Sequence, residues 1–191
     1  RLMVTTEEIL AAAQRHLNVD PRASMAVLAS AAGVGRATLH RHFASRDDLL
    51  HELGTRSLDR WETSLDAADP QAVEGAADSG DAARITACLQ DMMARFLADS
   101  DDFGFALTDS YLTSADDLLA RSDALVDRET HLYAAAQRAG VLRDDVPPRW
   151  LGHAVYGLLV AAREAVRDGD VARRDLDAMV MSTFLDGAGP R

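Results

Sequence analysis

Apolar side chains recur along this chain at intervals of three and four and almost nowhere alternate, which is the spacing of helices rather than strands. The pattern predicts an all-α fold. Thr5-x-x-Glu8 reads as a capping box that opens a helix to about residue 16, with Ile9, Leu10, Ala13 and Leu17 turned inward. Asp20-Pro21 breaks it. Ser24 caps a second short helix carrying Met25, Leu28 and Ala29, and Ala32-Gly33-Val34 forms a tight turn before a third helix over about 35–42. Ser45 caps a long fourth helix to about Ala68. Asp47 and Asp48 stand in its first turn, where the helix dipole favours acids, and Leu49, Leu50, Leu53, Leu58, Trp61 and Leu65 form its apolar stripe.

Beyond it, residues 69–81 (DPQAVEGAADSGD) are rich in Gly, Ala and Asp and read as a loop. Helices follow over about 82–98, 103–112 and 114–139. The last of these is capped by Ser114 with Asp117 and closed by Gly140. Pro147-Pro148 starts another to about Asp168, and a final one spans about 172–186.

Charge divides the chain unevenly. The 191 residues carry a formal charge of −11, and all 20 basic residues are Arg. Residues 1–51 hold six of the Arg against five acids, and four of the six His; the remainder holds fourteen Arg against twenty-six acids. A near-neutral, locally basic head on an acidic body is expected where only the head meets a polyanion. Cys88 is the single cysteine, so no intrachain disulfide forms, in keeping with a reducing cytoplasm. No apolar run reaches the length of a membrane span, and no basic-then-apolar leader opens the sequence.

The basic residues concentrate in the third helix. On a helical wheel Leu39 and Phe43 share one face, while Ala37, His40 and Arg41 point away from it and Thr38 lies on the flank. A short helix, a Gly-containing turn and a second short helix with a cationic outer face make a helix-turn-helix, sized for the DNA major groove.

The run SMAVLASAAGVGRATLHRHFASRDDLL resembles the TetR family of bacterial transcriptional repressors: its Leu-Ala, Ala-Gly-Val and Thr-Leu-x-x-His-Phe blocks agree in register. About 45 N-terminal residues carry the likeness, and the remainder is similar in outline only. The resemblance implies a three-helix DNA-binding domain over residues 1–47 and a helical effector-binding and dimerisation domain over 48–191. It makes Ser24, Thr38, His42 and Arg46 phosphate contacts and Arg41 a base reader. It lets Ala37 bring the helix close to the bases and gives Arg36 reach to backbone or base edge. His40 stands where the family has Tyr, and Gly35 where it has Ser or Thr. An imidazole is shorter and its charge depends on pH; a Gly removes a cap. For the larger domain the resemblance implies an effector pocket, with Trp61, Met92, Phe96, Phe103, Phe105, Tyr111, Leu125, His131 and Tyr156 as candidate lining.

Ala154, Gly157, Ala161 and Ala165 form a stripe of small side chains, which lets another helix approach closely. Intrachain packing is one use of such a stripe; the resemblance implies the other, a four-helix interface in a homodimer. The expected partners are therefore a palindromic DNA operator, a small-molecule effector and a second copy of the chain.

Other chemistry finds little support. His40 and His42, two residues apart on a helix, point about 200° from each other and do not chelate one ion. The acids of Asp99-Ser-Asp-Asp102 lack the Gly and distant Glu of a calcium loop and read as a solvated loop with helix-capping acids at a helix end. Cys88 reads as a small buried residue. No nucleophile elbow, P-loop or zinc-protease motif is present, so neither an enzyme nor a cofactor or metal site is expected. The rival reading is a helical small-molecule-binding or enzyme domain whose N-terminal helices no longer bind DNA.

Overall fold

The computed structural model describes residues 4–68, 70–112 and 114–189, and every regular element among them is helical. Helix α1 (Thr6–Leu17) opens on the capping box: Glu8 N donates to Thr5 Oγ1 at 3.2 Å, and Thr5 N donates to Glu8 Oε2 at 2.8 Å. Its inward positions Ile9, Leu10, Ala13 and Leu17 are all buried. Ser24 caps α2 (Met25–Ala31) through Val27 N. In the turn that follows, Gly33 has φ +67°, a left-handed conformation that glycine adopts without strain, and Val34 N donates to Ala29 O at 3.0 Å. Helix α3 (Arg36–His42) follows, without a side-chain cap at Gly35. Ser45 and Asp48 cap α4 (Arg46–Ala67) reciprocally, at 3.0 and 2.9 Å.

The expected loop at 69–81 is instead largely helix α5 (Pro70–Ser79), which begins at a proline that loses no hydrogen bond in the first helical turn. Val73 and Ala76, three apart, give it a buried face that outweighs its Gly and Asp content; Asp69 lies outside the described residues. Helix α6 (Ala82–Phe103) runs five residues past the expected end at 98, so the acids 99–102 belong to a helix and not to a loop. Asp99 accepts from Arg60 Nε at 2.9 Å and Ser64 Oγ at 2.7 Å and is half-buried. The expected helix over 103–112 shrinks to a 3-10 turn, Gly104–Leu107.

Helix α7 (Asp116–Arg138) starts two residues beyond Ser114. The Ser114 hydroxyl donates back to Tyr111 O at 3.0 Å, so it is not the cap. Helix α8 (Pro148–Asp168) ends at Gly169, φ +81°, and α9 (Leu176–Ala188) follows a 3-10 turn at Arg173–Asp175. No described helix is long and apolar enough to cross a membrane.

The helices form two compact units, and packing divides the chain elsewhere than at 47/48. One unit comprises the described residues up to Asp59 together with Asp101–Ala120; the other comprises Arg60–Ser100 and the described residues from Arg121 onward. In the first, Ile9, Leu17, Leu28, Leu39, Leu49 and Leu53 are fully buried, with Phe43, Phe103 and Phe105 completing an apolar core. In the second, Leu65, Ile85, Met92, Leu125, Tyr133, Val155 and Phe184 are buried.

Candidate functional site

Helix α3 turns Leu39 into the first unit's core and leaves Arg36, Ala37, His40 and Arg41 exposed on its outer face, with Thr38 half-buried at the flank. Two of these side chains are pre-positioned. Arg41 Nη2 donates to Thr38 Oγ1 at 3.3 Å, one helical turn back, which lays the guanidinium along the helix. His40 Nδ1 lies 3.2 Å from Ala44 O. A carbonyl only accepts, so Nδ1 carries a proton. Ser24 is exposed and uses its hydroxyl as the α2 cap. His42, also exposed, has Nδ1 2.9 Å from Thr6 Oγ1, a contact that ties the end of α3 to the start of α1.

Arg46 departs from the phosphate role the resemblance implied. Its guanidinium turns inward: Nε donates to Ala23 O at 3.1 Å, Nη2 donates to Pro21 O at 2.6 Å, and Asp109 Oδ2 lies 3.8 Å away. Carbonyls left open ahead of α2 and a buried carboxylate compete for this cation, and together they hold it against the protein. Arg46 fixes the segment before α2 to the start of α4.

The nine candidate effector residues do not converge. Phe103, Phe105 and Tyr111 belong to the first unit, where Phe103 and Phe105 pack with ring centroids 6.5 Å apart. The cause is Asn18, directly after α1. Its Nδ2 donates to Asp101 O at 3.0 Å and Asp102 O at 2.7 Å, and its Oδ1 accepts from Phe105 N at 3.1 Å. Those contacts satisfy the carbonyls at the end of α6 and fasten residues 101–105 to α1. His131 is exposed on α7, and Tyr156 is 46% exposed on α8. Trp61, Met92, Phe96 and Leu125 remain in the second unit. Met92 also lines a small apolar cavity of about 10 Å³, shared with Ala68, Val73, Ile85, Cys88, Leu89 and Leu132; that volume is about one water.

The second unit holds a polar group that the sequence reading missed. Glu129 on α7 is 7% exposed and accepts hydrogen bonds from the Tyr133 hydroxyl and the Trp61 indole. Burial pushes its carboxyl up to about 7, against the opposing pull of those two donors. Burial likewise raises the Tyr133 phenol, and the neighbouring carboxylate adds to the shift. Gly152 on α8 packs beside the pair; a Cβ there would sit in ordinary van der Waals contact, 3.7 Å from both Glu129 Oε1 and the Tyr133 ring. Tyr133 packs on Phe184 of α9, centroids 6.3 Å apart. The signal was available: Leu125, Leu132 and Ala136 put Glu129 on an apolar stripe.

The small-residue stripe of α8 faces out. Leu151, Val155, Leu159 and Ala162 are buried on the opposite side, whereas Gly157 and Ala161 are exposed and Ala154 and Ala165 half-buried. A Cβ at Gly157 would meet nothing within 4 Å, and Trp150, on the same face, is 58% exposed. Among the described residues, nothing packs over Gly157.

Comparison with known proteins places this geometry. Residues 9–53 match the family described as "Bacterial regulatory proteins, tetR family". Over 182 residues the chain is 28% identical to the HTH-type transcriptional repressor LfrR of Mycolicibacterium smegmatis, covering 93% of this chain and 87% of that protein. It superposes on the crystal structure of LfrR in complex with proflavine with a TM-score of 0.73 at 25% identity, covering 95% of this chain and 94% of that one. It shares its fold, at a TM-score of 0.65 and 18% identity, with AibR in complex with isovaleryl coenzyme A and operator DNA, covering 94% of this chain and 95% of that one.

Proposed function

We propose, for a chain that belongs to the TetR family of bacterial regulatory proteins, a homodimeric, sequence-specific DNA-binding repressor released from a palindromic operator by a small-molecule effector. The observation that carries this reading is the outer face of α3: exposed Arg36, Ala37, His40 and Arg41, presented by a short helix-turn-helix whose inner side is fully buried. Arg41 reads base edges, since a guanidinium matches the two acceptors of guanine in the major groove. Arg36, Thr38 and Ser24 meet phosphate or base edge. His40 keeps its second ring nitrogen for the same surface, and His42 gives up its Thr6 contact to join it. Arg46 supports these groups by fixing the chain ahead of α2. Residues 1–47 do the reading, and 48–191 the sensing and pairing.

One short helix makes too few contacts for useful affinity. Two copies double them and require half-sites about 34 Å apart, one turn of DNA. The outward stripe Ala154, Gly157, Ala161 and Ala165 supports pairing of α8 with its copy, which sets that spacing. Solved relatives bind proflavine in one case, and isovaleryl coenzyme A with operator DNA in another. By the same logic, the second unit of this chain binds a small molecule, near Trp61, Met92, Phe96 and Leu125. Trp61 stands on α4, a helix that contributes residues to both units. The protein acts in the cytoplasm and catalyses no reaction.

The test is selection of bound genomic fragments, followed by titration of the recovered duplex and a scrambled one at several salt concentrations. Wild-type protein prefers the selected duplex, with affinity that falls steeply with salt. Arg41→Ala loses about 1–3 kcal/mol of that preference and keeps most of its affinity for scrambled DNA. A folded dimer that shows no preference for any duplex overturns the reading and leaves a helical binding module in its place.

A further inference from the structure

We propose that His40 sets operator specificity as a hydrogen-bond acceptor, its Nε2 receiving the exocyclic amino group of a cytosine or an adenine in the major groove. The inference rests on the reading of α3 as the DNA-contacting helix and names the base chemistry that one of its side chains recognises.

The local fold fixes the ring. Helix α3 ends at His42, and Phe43 leaves it with φ −135° and ψ 115°. The carbonyl of Ala44, just beyond, comes to 3.2 Å from His40 Nδ1. A carbonyl has no proton to give, so Nδ1 supplies the hydrogen of that bond. A neutral imidazole holds one N–H. Its Nε2 is therefore left as a lone pair, and among the described residues nothing bonds to it. The side chain is exposed, on the same face as Arg36, Ala37 and Arg41.

Those neighbours give the lone pair its meaning. Arg36 and Arg41 only donate, and the side chain of Ala37 has no polar atom. The Thr38 hydroxyl, on the flank, already accepts from Arg41 Nη2 at 3.3 Å. His42 projects from another side of the helix, where its Nδ1 meets Thr6 Oγ1. Guanidinium donors suit the O6 and N7 acceptors of guanine, and they have nothing to offer an amino group. Cytosine N4 and adenine N6 are the donors that the major groove displays. On the outer face of α3, His40 is the side chain that accepts them. Ala37, one turn earlier, lets the helix come close enough for so short a side chain to reach. Phosphate offers acceptors alone, so a neutral His40 protonated on Nδ1 has no hydrogen to give it. The Tyr at this place in the resembled family carries an O–H that donates.

Two measurements test the assignment. In the free wild-type protein, proton–nitrogen NMR of the histidine rings at pH 8, where imidazoles are ordinarily neutral, shows His40 protonated on Nδ1. The opposite tautomer overturns the proposal. For the complex, selection from randomised duplexes with wild type and with His40→Ala locates the base pair whose preference the substitution relaxes. Wild type binds the selected duplex about three- to tenfold more tightly than His40→Ala, the worth of one hydrogen bond. Deleting the amino group of that pair, with pyrimidin-2-one for cytosine or purine for adenine, abolishes this advantage. Replacing the purine N7 of the same pair by C–H leaves it unchanged.

An advantage that survives loss of the amino group, or that vanishes with N7, overturns the proposal. So does a His40→Ala protein that binds the selected duplex as wild type does, or one that weakens on every duplex alike, which marks a phosphate contact. The tautomer is read in wild type, so misfolding of the variant leaves the proposal open to refutation. Wild-type protein that prefers its selected duplex while failing these tests loses the His40 assignment alone; wild-type protein with no preference for any duplex loses the regulator reading and the assignment with it.

Discussion

Each unit of this molecule buries a carboxylate, and the two are handled in opposite ways. In the first, Asp109 accepts from Tyr111 N at 2.9 Å and Leu112 N at 3.4 Å, and Arg46 stands 3.8 Å from its other oxygen. That charge is answered within the protein. In the second, Glu129 receives two neutral donors and no cation, and its carboxyl drifts up to about 7. A unit that reads DNA gains from one fixed geometry, and a neutralised charge helps to fix it. In the second unit the carboxyl holds a proton instead, so that its contribution to stability depends on pH.

The comparison breaks most readily at Arg46. Arg46→Ala strands Asp109 and frees the carbonyls of Pro21 and Ala23, so urea denaturation should show a loss of about 3 kcal/mol, at the lower end for a buried pair because Arg46 is partly exposed. Binding to every DNA sequence should fall with it. A loss of DNA affinity with unchanged stability would restore Arg46 to phosphate contact.

Glu129→Gln sharpens the contrast from the other side. The folded pKa lies above the ordinary carboxyl value of 4.5, so the folded state keeps a proton that the unfolded state has released. The stabilisation is complete below about pH 4.5 and is lost as pH rises through about 7. Between pH 5 and 7.5 the wild type should therefore lose about 2 kcal/mol relative to E129Q, read as diverging urea midpoints. Parallel pH profiles would mean the carboxyl titrates normally.

Asn18→Ala should cost about 1–2 kcal/mol, since it removes three hydrogen bonds to backbone groups at Asp101, Asp102 and Phe105. Amide hydrogen exchange should quicken at Phe105 in particular. Unaltered exchange there would remove Asn18 as the fastener. The smallest effect on the fold is expected from Gly157→Leu, which meets open space and favours helix, changing chain stability by no more than about 1 kcal/mol. In sedimentation the same substitution should shift the protein towards monomer. A dimer of wild-type affinity would move the interface elsewhere.

The same contrast governs what was legible in the sequence. The first four helices were readable to within a residue or two because Thr5 with Glu8, Ser24, Gly33 and Ser45 are local signals with local causes. Attachment of residues 101–120 to the first unit was not, because Asn18 reaches partners 83 to 87 positions away and nothing near either end announces it. That is why Phe103, Phe105 and Tyr111 were grouped with Trp61, Met92, Phe96 and Leu125, although they pack in the first unit. Arg46 follows a helix cap whether it faces phosphate or the carbonyls of Pro21 and Ala23; only the tertiary structure chooses. Helix α5 was hidden by its Gly and Asp, with Val73 and Ala76 too short a stripe to outvote them. Glu129 was visible as an acid among apolar neighbours, but only burial gives it meaning.

The claim that one unit reads DNA while the other senses a ligand meets its most direct test in reciprocal linkage. Anisotropy of the selected operator duplex, titrated with wild-type protein without and with a saturating small-molecule effector found by screening, is compared with effector affinity measured without and with saturating operator. The account predicts that each ligand weakens the other by one common factor, about 5- to 150-fold. Equal operator affinity with and without the bound effector would contradict it.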